Sequence, residues 1–255
     1  MEAGAAHTPA ISLVVPTYNE RERLGELVRA IFDAYAHASI GGELVIVDDN
    51  SPDGTGAVAD ELASSHDIRV LHRPGKLGLG TAVIDGFNAA AAPVLGVIDA
   101  DLSHPPALVP AMLRLMLDTG ADLVIGSRYV PGGGTRNWAL SRVLMSRFAC
   151  VLARGLTPVR DATSGFFLIR RGLARGVTIS AGGFKICLEL LIRSGPRLVI
   201  EVPYVFGGRT AGKSKMNLKE AAGYLVQLHD LRRFKASRQA APPVHRVMRA
   251  RDMPS

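Results

Sequence analysis

Short apolar runs alternate with helical patterns along the first half of the chain. ISLVV (11–15) precedes an amphipathic stretch from Glu20 to Tyr35, and ELVIV (43–47) precedes a second helical pattern that starts near Thr55. IRVL (68–71) leads into 79–92, VLGVI (94–98) leads into 106–119, and DLVIG (122–126) closes the series. Apolar strands that alternate with helices predict βαβ units, hence an α/β fold with a mostly parallel central sheet flanked by helices.

The second half is less regular. Residues 139–155 form a helical pattern with Leu140, Leu144, Phe148 and Val151 on one face, flanked by Arg147 and Arg154. That face is expected either to pack on the core or to lie on a membrane surface. FFLI and LVIEV read as strands, and 216–234 as a last helix. From residue 236 onward the chain is basic, contains proline and has no period, which predicts a mobile tail. The expected organisation is a flexible N-terminus (1–9), one catalytic domain (10–235) and a disordered basic tail (236–255), with no internal repeat.

Composition narrows the partners. The chain has 255 residues, 47% of them hydrophobic, enough for one large core. Its 30 Lys and Arg against 23 Asp and Glu leave a net charge of +7, which favours anionic partners. Nucleic acid is not expected among them: aromatics are only 5%, too few for stacking platforms. Cys150 and Cys187 lack ligand spacing and read as reduced core thiols of a cytosolic protein. MEAGAAHTPA has neither the basic nor the apolar region of a signal peptide. No apolar run reaches the roughly 18 residues of a membrane span, so any membrane contact is expected from the side.

Polar clusters recur where the strands end: PTYNE (16–20), DDNSPDGT (48–55), DAD (99–101) and SRY (127–129). In open parallel sheets that is where ligands bind. Asp99 and Asp101 repel each other unless a cation sits between them. Residues i and i+2 of a strand share a face about 7 Å apart at Cα, so the pair can close on Mg²⁺ or Mn²⁺ with Ser103 assisting. Turn chemistry is the alternative use of these residues. His104 and the two prolines after it fit a turn into a helix. GKLGLGT (75–81) lacks the third glycine of a dinucleotide loop, because position 83 is Val83. GGRTAGKS (207–214) fits the P-loop pattern, but such a loop normally opens its domain, and only about forty residues follow this one.

VVPTYNE, VDDNSPDGT, KLGLGTA, DADLSHPP, GSRY, TSGFFL and EVPYVFGGRTAGKSKM follow one another in the order seen in glycosyltransferase family two. From Ile11 to Phe234 the chain resembles its polyprenyl-phosphate (dolichol-phosphate) mannose synthases. The resemblance implies a GT-A type nucleotide-sugar fold and inverting transfer of mannose from GDP-mannose to a polyprenyl phosphate. It implies Pro16, Tyr18 and Glu20 at the nucleotide, and Val47 and Asp49 at the base and ribose. Asp99, Ala100 and Asp101 would meet metal and diphosphate, with Ser103 where the family uses Gln or Ser. Arg209, Lys215 and Lys185 would contact donor phosphates, and Arg128 and Arg142 the acceptor phosphate. Asp101, Arg128 and Arg209 would carry the catalytic weight. An acceptor that is already an anion requires no general base; Glu189 is the one carboxylate to consider as such. The expected location is the cytoplasmic face of a membrane, held peripherally or by a separate anchoring partner. The rival readings are a UDP-sugar such as UDP-glucose as donor on the same fold, and a P-loop NTPase through 207–214, which would make Lys213 dominant.

Overall fold

The computed structural model of the protein describes residues 8–179, 185–207, 218–238 and 242–254. β1 (Ile11–Thr17) leads to α1 (Arg21–Ala38), β2 (Gly42–Asp48) to α2 (Thr55–Ala63), and β3 (Ile68–His72) to α3 (Leu79–Ala89). β4 (Val94–Val97) leads through a short 3-10 turn to α4 (Val109–Thr119). There follow β5 (Leu123–Ser127), β6 (Gly134–Thr135), α5 (Leu140–Ala153), β7 (Phe167–Arg170) and α6 (Arg171–Ala174). α7 (Ile186–Arg193), β8 (Leu198–Pro203), β9 (Val205–Phe206), α8 (Leu218–Ser237), β10 (Val244–Val247) and a 3-10 turn at Ala250–Asp252 complete the described elements.

Eight strands form one sheet in the order β10–β8–β5–β7–β4–β1–β2–β3. Neighbours are parallel except β7, which runs antiparallel to both β4 and β5. Both faces are covered, which is why the strands read as continuous apolar runs. Leu13, Val15, Leu44 and Ile46 enter one core with Leu24, Leu27, Val28 and Ile31 of α1. Val14, Val45 and Val47 enter the other with Ala82, Val83 and Phe87 of α3. α3 lies so close to the sheet that a Cβ on Gly86 would stand 2.5 Å from Val14.

The chain runs outward from β1 to β2 and β3, then returns to place β4 on the other side of β1. Strand order therefore reverses at β1, and the crevice beyond the carboxyl ends of β4, β1 and β2 is the natural ligand site.

The tail expected from residue 236 is not a tail throughout. α8 continues to Ser237, and β10 pairs in parallel with β8, Val244 opposite Leu198 and Val247 opposite Glu201. Met248 and Met253 pack on the core beyond it. Four residues on a sheet edge, with Val244 and Arg246 exposed, are too few to register as a periodic signal. What orders them is the open edge of β8, which lies far away in sequence. The folded domain thus extends past residue 235. Residues 1–7, within the N-terminus expected to be flexible, lie outside the described residues.

Candidate active site

One half of the candidate site forms where β1 and β2 end. Pro16 and Val47 are register partners, and the Val47 side chain is wholly in the core, so only its backbone borders the crevice. Tyr18 is exposed, with Lys76 Nζ 3.9 Å from its ring centre. Glu20 stands at the start of α1, and its N–H donates to Thr55 Oγ1 at 2.9 Å. Of the two adjacent aspartates, Asp48 serves the turn: it accepts from Thr17 Oγ1 (3.2 Å), Ser51 N (3.0 Å) and Ser51 Oγ (2.5 Å). Asp49 has a different environment. It is buried, and accepts from Arg73 Nη1 at 2.5 Å and from Gly78 N at 3.3 Å. Gly78 has φ of +103°, a backbone that glycine alone adopts without strain. Arg73, overlooked in the sequence, binds Thr81 Oγ1 as well (2.6 Å) and fixes the glycine loop against Asp49.

The aspartate pair does not lie within a strand. β4 ends at Val97, and Asp99 to Leu102 turn sharply, with Leu102 at φ +60°. Asp101 is buried and accepts both the N–H (3.1 Å) and the hydroxyl of Ser103, which orients its carboxylate. Asp99 is more open, with a side chain 31% exposed. A Cβ on Gly165 would lie 3.3 Å from both Asp99 oxygens, so the TSGFF loop keeps room for that carboxylate. Ala100 is a core residue. His104 is buried against Phe166, Tyr204 and Phe206, and its Nδ1 accepts the Asp99 N–H at 3.3 Å. Burial holds its imidazole below the usual histidine range, against the pull of Asp99 and Asp101, which keeps Nδ1 an acceptor. No group of three or more His, Cys, Asp or Glu is placed for a metal among the described residues. The donor set is two carboxylates and a hydroxyl, all hard oxygens. It suits a divalent cation that keeps positions open for diphosphate oxygens.

The other half of the candidate site follows β5. Arg128 is buried and makes a two-pronged pair with Asp161, Nε to Oδ2 at 2.8 Å and Nη2 to Oδ1 at 2.7 Å. Burial opposes its charge, but Asp161 more than offsets this and pushes the guanidinium further up. Nη1 makes no hydrogen bond to a described residue. Arg142, on α5, lies 3.9 Å from the ring centre of Trp138, and Arg128 lies 5.6 Å from the same ring. Trp138 Nε1 is buried without an acceptor among the described residues. Lys185 precedes α7; burial, then the charge of Arg128, lower its amine below the usual lysine range. Glu189 is fully buried against Arg193 Nε (2.5 Å) and Gln227 Nε2 (2.9 Å), so it is a structural carboxylate, out of reach of a substrate. Arg209, Lys213 and Lys215 lie outside the described residues. Their loop leaves Gly207, whose N–H donates to the Ser103 carbonyl at 2.8 Å, directly behind the aspartate turn.

The model of glycosyl transferase family 2 covers residues 12–178. The chain belongs to this family. Within it, the dolichol-phosphate mannosyltransferase of Pyrococcus furiosus is 41% identical over 228 residues, 88% of this chain and 64% of that protein. The chain therefore spans less than two thirds of that relative's length. The polyprenol monophosphomannose synthase of Mycolicibacterium smegmatis is 40% identical over 242 residues, 86% of this chain and 89% of that one. Among solved structures, a mannosyltransferase of Pyrobaculum calidifontis in complex with GDP-Man and Mn²⁺ shares the fold at a TM-score of 0.64 and 18% identity. It is matched over 93% of this chain and 67% of its own. The fold is the GT-A glycosyltransferase fold.

Proposed function

We propose that this enzyme transfers mannose from GDP-mannose to a polyprenyl phosphate, with inversion at the anomeric carbon. The observation that carries the reading is a helix with two unlike sides: Arg142 on its inner side shares the Trp138 ring with Arg128, and no described element covers the apolar face on the other side. Leu140, Leu144, Phe148 and Val151 of α5 are 72%, 58%, 63% and 51% exposed. α8 adds exposed Leu225 and Val226, and Tyr224 ties α8 to α5 through a 2.7 Å bond to the Ala149 carbonyl. An acceptor with a charged head and a hydrocarbon tail fits this pairing: phosphate at Arg128 and Arg142, tail in a bilayer under α5. Among the described residues no helix is long and apolar enough to cross a membrane. We accordingly read the attachment as peripheral, on the face of the membrane where nucleotide sugars are available. The names of the two relatives support both sugar and acceptor.

In this reaction an oxygen of the acceptor phosphate bonds to C1 of mannose as the bond from C1 to the diphosphate breaks, and the electron pair leaves with GDP. The attacking oxygen is already anionic, so the chain need only align it and stabilise charge. Asp49, held by Arg73, faces the nucleoside; Tyr18 and Glu20 border it. Asp99 and Asp101, with Ser103, would hold Mg²⁺ or Mn²⁺, which neutralises the departing diphosphate when bound. Arg209, Lys215 and Lys185 are assigned to the donor phosphates.

The test is a partition assay. Purified enzyme, polyprenyl phosphate in detergent, divalent metal and radiolabelled GDP-mannose are incubated, with UDP-glucose in parallel and EDTA as control. Label from GDP-mannose is expected in the organic phase, and EDTA should abolish it. Label only from UDP-glucose would correct the donor; label from neither, with release of free phosphate, would revive the P-loop reading.

A further inference from the structure

Asp161 has no part in the chemistry just described, yet it lies fully buried against Arg128. It sits on the loop between α5 and β7 and accepts three bonds from that arginine: from the peptide N–H (2.9 Å), from Nε and from Nη2. The Thr163 hydroxyl (3.4 Å) and the Cys150 thiol of α5 (3.7 Å) close around it. The backbone of Asp161 is fixed in turn. Its N–H donates to Glu201 Oε1 at 2.9 Å, and the N–H of Arg160 donates to Glu201 Oε2 at 2.8 Å. Glu201 is fully buried on β8, and its second oxygen lies 2.6 Å from Nε2 of His245 on β10. A continuous run of polar contacts thus links the edge strand of the sheet to the guanidinium of Arg128.

An arginine side chain has many rotamers, and most would aim its donors away from a bound phosphate. A carboxylate that takes Nε and Nη2 together fixes both the plane and the direction of the fork. With that edge occupied, and Nη2 also donating to the Thr163 hydroxyl at 3.3 Å, Nη1 is the donor left for a ligand among the described residues. We propose that Asp161 is a positioning residue that aims Nη1 of Arg128 at the acceptor phosphate, and that Glu201 and His245 hold Asp161 in place. The inference rests on the acceptor role proposed for Arg128. It also gives β10 a functional task, since that strand carries His245.

The experiment measures mannosyl transfer at saturating GDP-mannose while polyprenyl phosphate is varied. Asp161→Asn keeps the size of the side chain but offers one acceptor oxygen and an amide that faces the arginine donors. It should lower kcat/KM for polyprenyl phosphate about 10²-fold, the scale of an ångström of misplacement, with GDP-mannose KM changed less than about twofold. Glu201→Gln and His245→Gln should give smaller losses of the same kind. A double-mutant cycle separates positioning from general damage. Because Asp161 acts through Arg128, Asp161→Asn should add little in an Arg128→Lys background. Full additivity, or wild-type acceptor kinetics in a folded Asp161→Asn enzyme, would overturn the proposal. If thermal melting shows that Asp161→Asn does not fold, Glu201→Gln is read by the same criteria. Wild-type acceptor kinetics for Arg128→Lys would instead overturn the acceptor reading on which the inference stands.

Discussion

Two buried ion pairs organise the site, and each joins residues far apart in the chain: Arg73 with Asp49, and Arg128 with Asp161. In the first, both side chains are under a tenth exposed. Removing one member of such a pair leaves the other charge buried without compensation, which costs about 3–5 kcal/mol. Arg73→Ala is therefore expected to lower the urea stability of the enzyme by about 3 kcal/mol and to weaken GDP binding. A loss near zero in the denaturation curve would mean that Asp49 finds another partner. The cysteines provide a second check on burial. Burial and the nearby Asp161 push the Cys150 thiol up to about 11, and burial raises that of Cys187 well above its ordinary value. At pH 8 both remain protonated, so a thiol reagent should label neither until urea unfolds the chain; prompt reaction in the native state would contradict the packing around α5 and α7. The aspartates and arginines at strand ends were legible as candidates because strand ends are where such a sheet binds ligands. Their partners were not. Asp49 and Arg73 are separated by 24 positions and Arg128 and Asp161 by 33, and no local spacing joins them.

At the scale of elements, what the chain announces is what repeats within one element. The buried face of α1, at Leu24, Leu27, Val28, Ile31 and Tyr35, has the helical spacing that made it readable. The face of α5 was equally visible as a pattern, but the pattern alone did not decide between core and membrane. The fold rules out the core, because no described element covers Leu140, Leu144, Phe148 or Val151, and the membrane is the proposal that follows. β10 shows the opposite case. Nothing local marks it as a strand, since its order comes from the edge of β8 and from Met248 and Met253 reaching the core. Ending the chain after Arg238 removes that edge strand, the contact of His245 with Glu201 and the two methionines. With roughly 1–2 kcal/mol lost for each partly buried methionine, the truncated enzyme should be about 3 kcal/mol less stable. For a chain of this size that is a fall in melting temperature of about 6–12 °C. An unchanged melting curve would show that the strand contributes nothing to the domain.

For the molecule as a whole, two properties point the same way: a net charge of +7 and an apolar face on α5 and α8 that no described element covers. Apolar side chains exposed in solution contribute nothing to folding stability but gain about 1.5–3 kcal/mol each when a bilayer buries them. The two scales can therefore be separated in one variant. Leu144→Ser combined with Phe148→Ser should leave the melting temperature unchanged, because neither side chain is buried in the fold. The same variant should bind anionic lipid vesicles about 10²- to 10⁴-fold more weakly, the equivalent of two lost side-chain insertions. Wild-type binding should fall as salt rises, since the charge attraction is screened over roughly 8 Å at physiological ionic strength. Transfer to a long-chain polyprenyl phosphate in vesicles should drop in step with binding. Transfer to a short-chain, water-soluble polyprenyl phosphate should not, because Arg128 and Arg142 are untouched. A variant that melts early yet still binds vesicles would place this face inside a protein contact and move the lipid elsewhere. Loss of activity on both acceptors alike would mean that α5 shapes the phosphate site itself and does not merely seat it on the membrane.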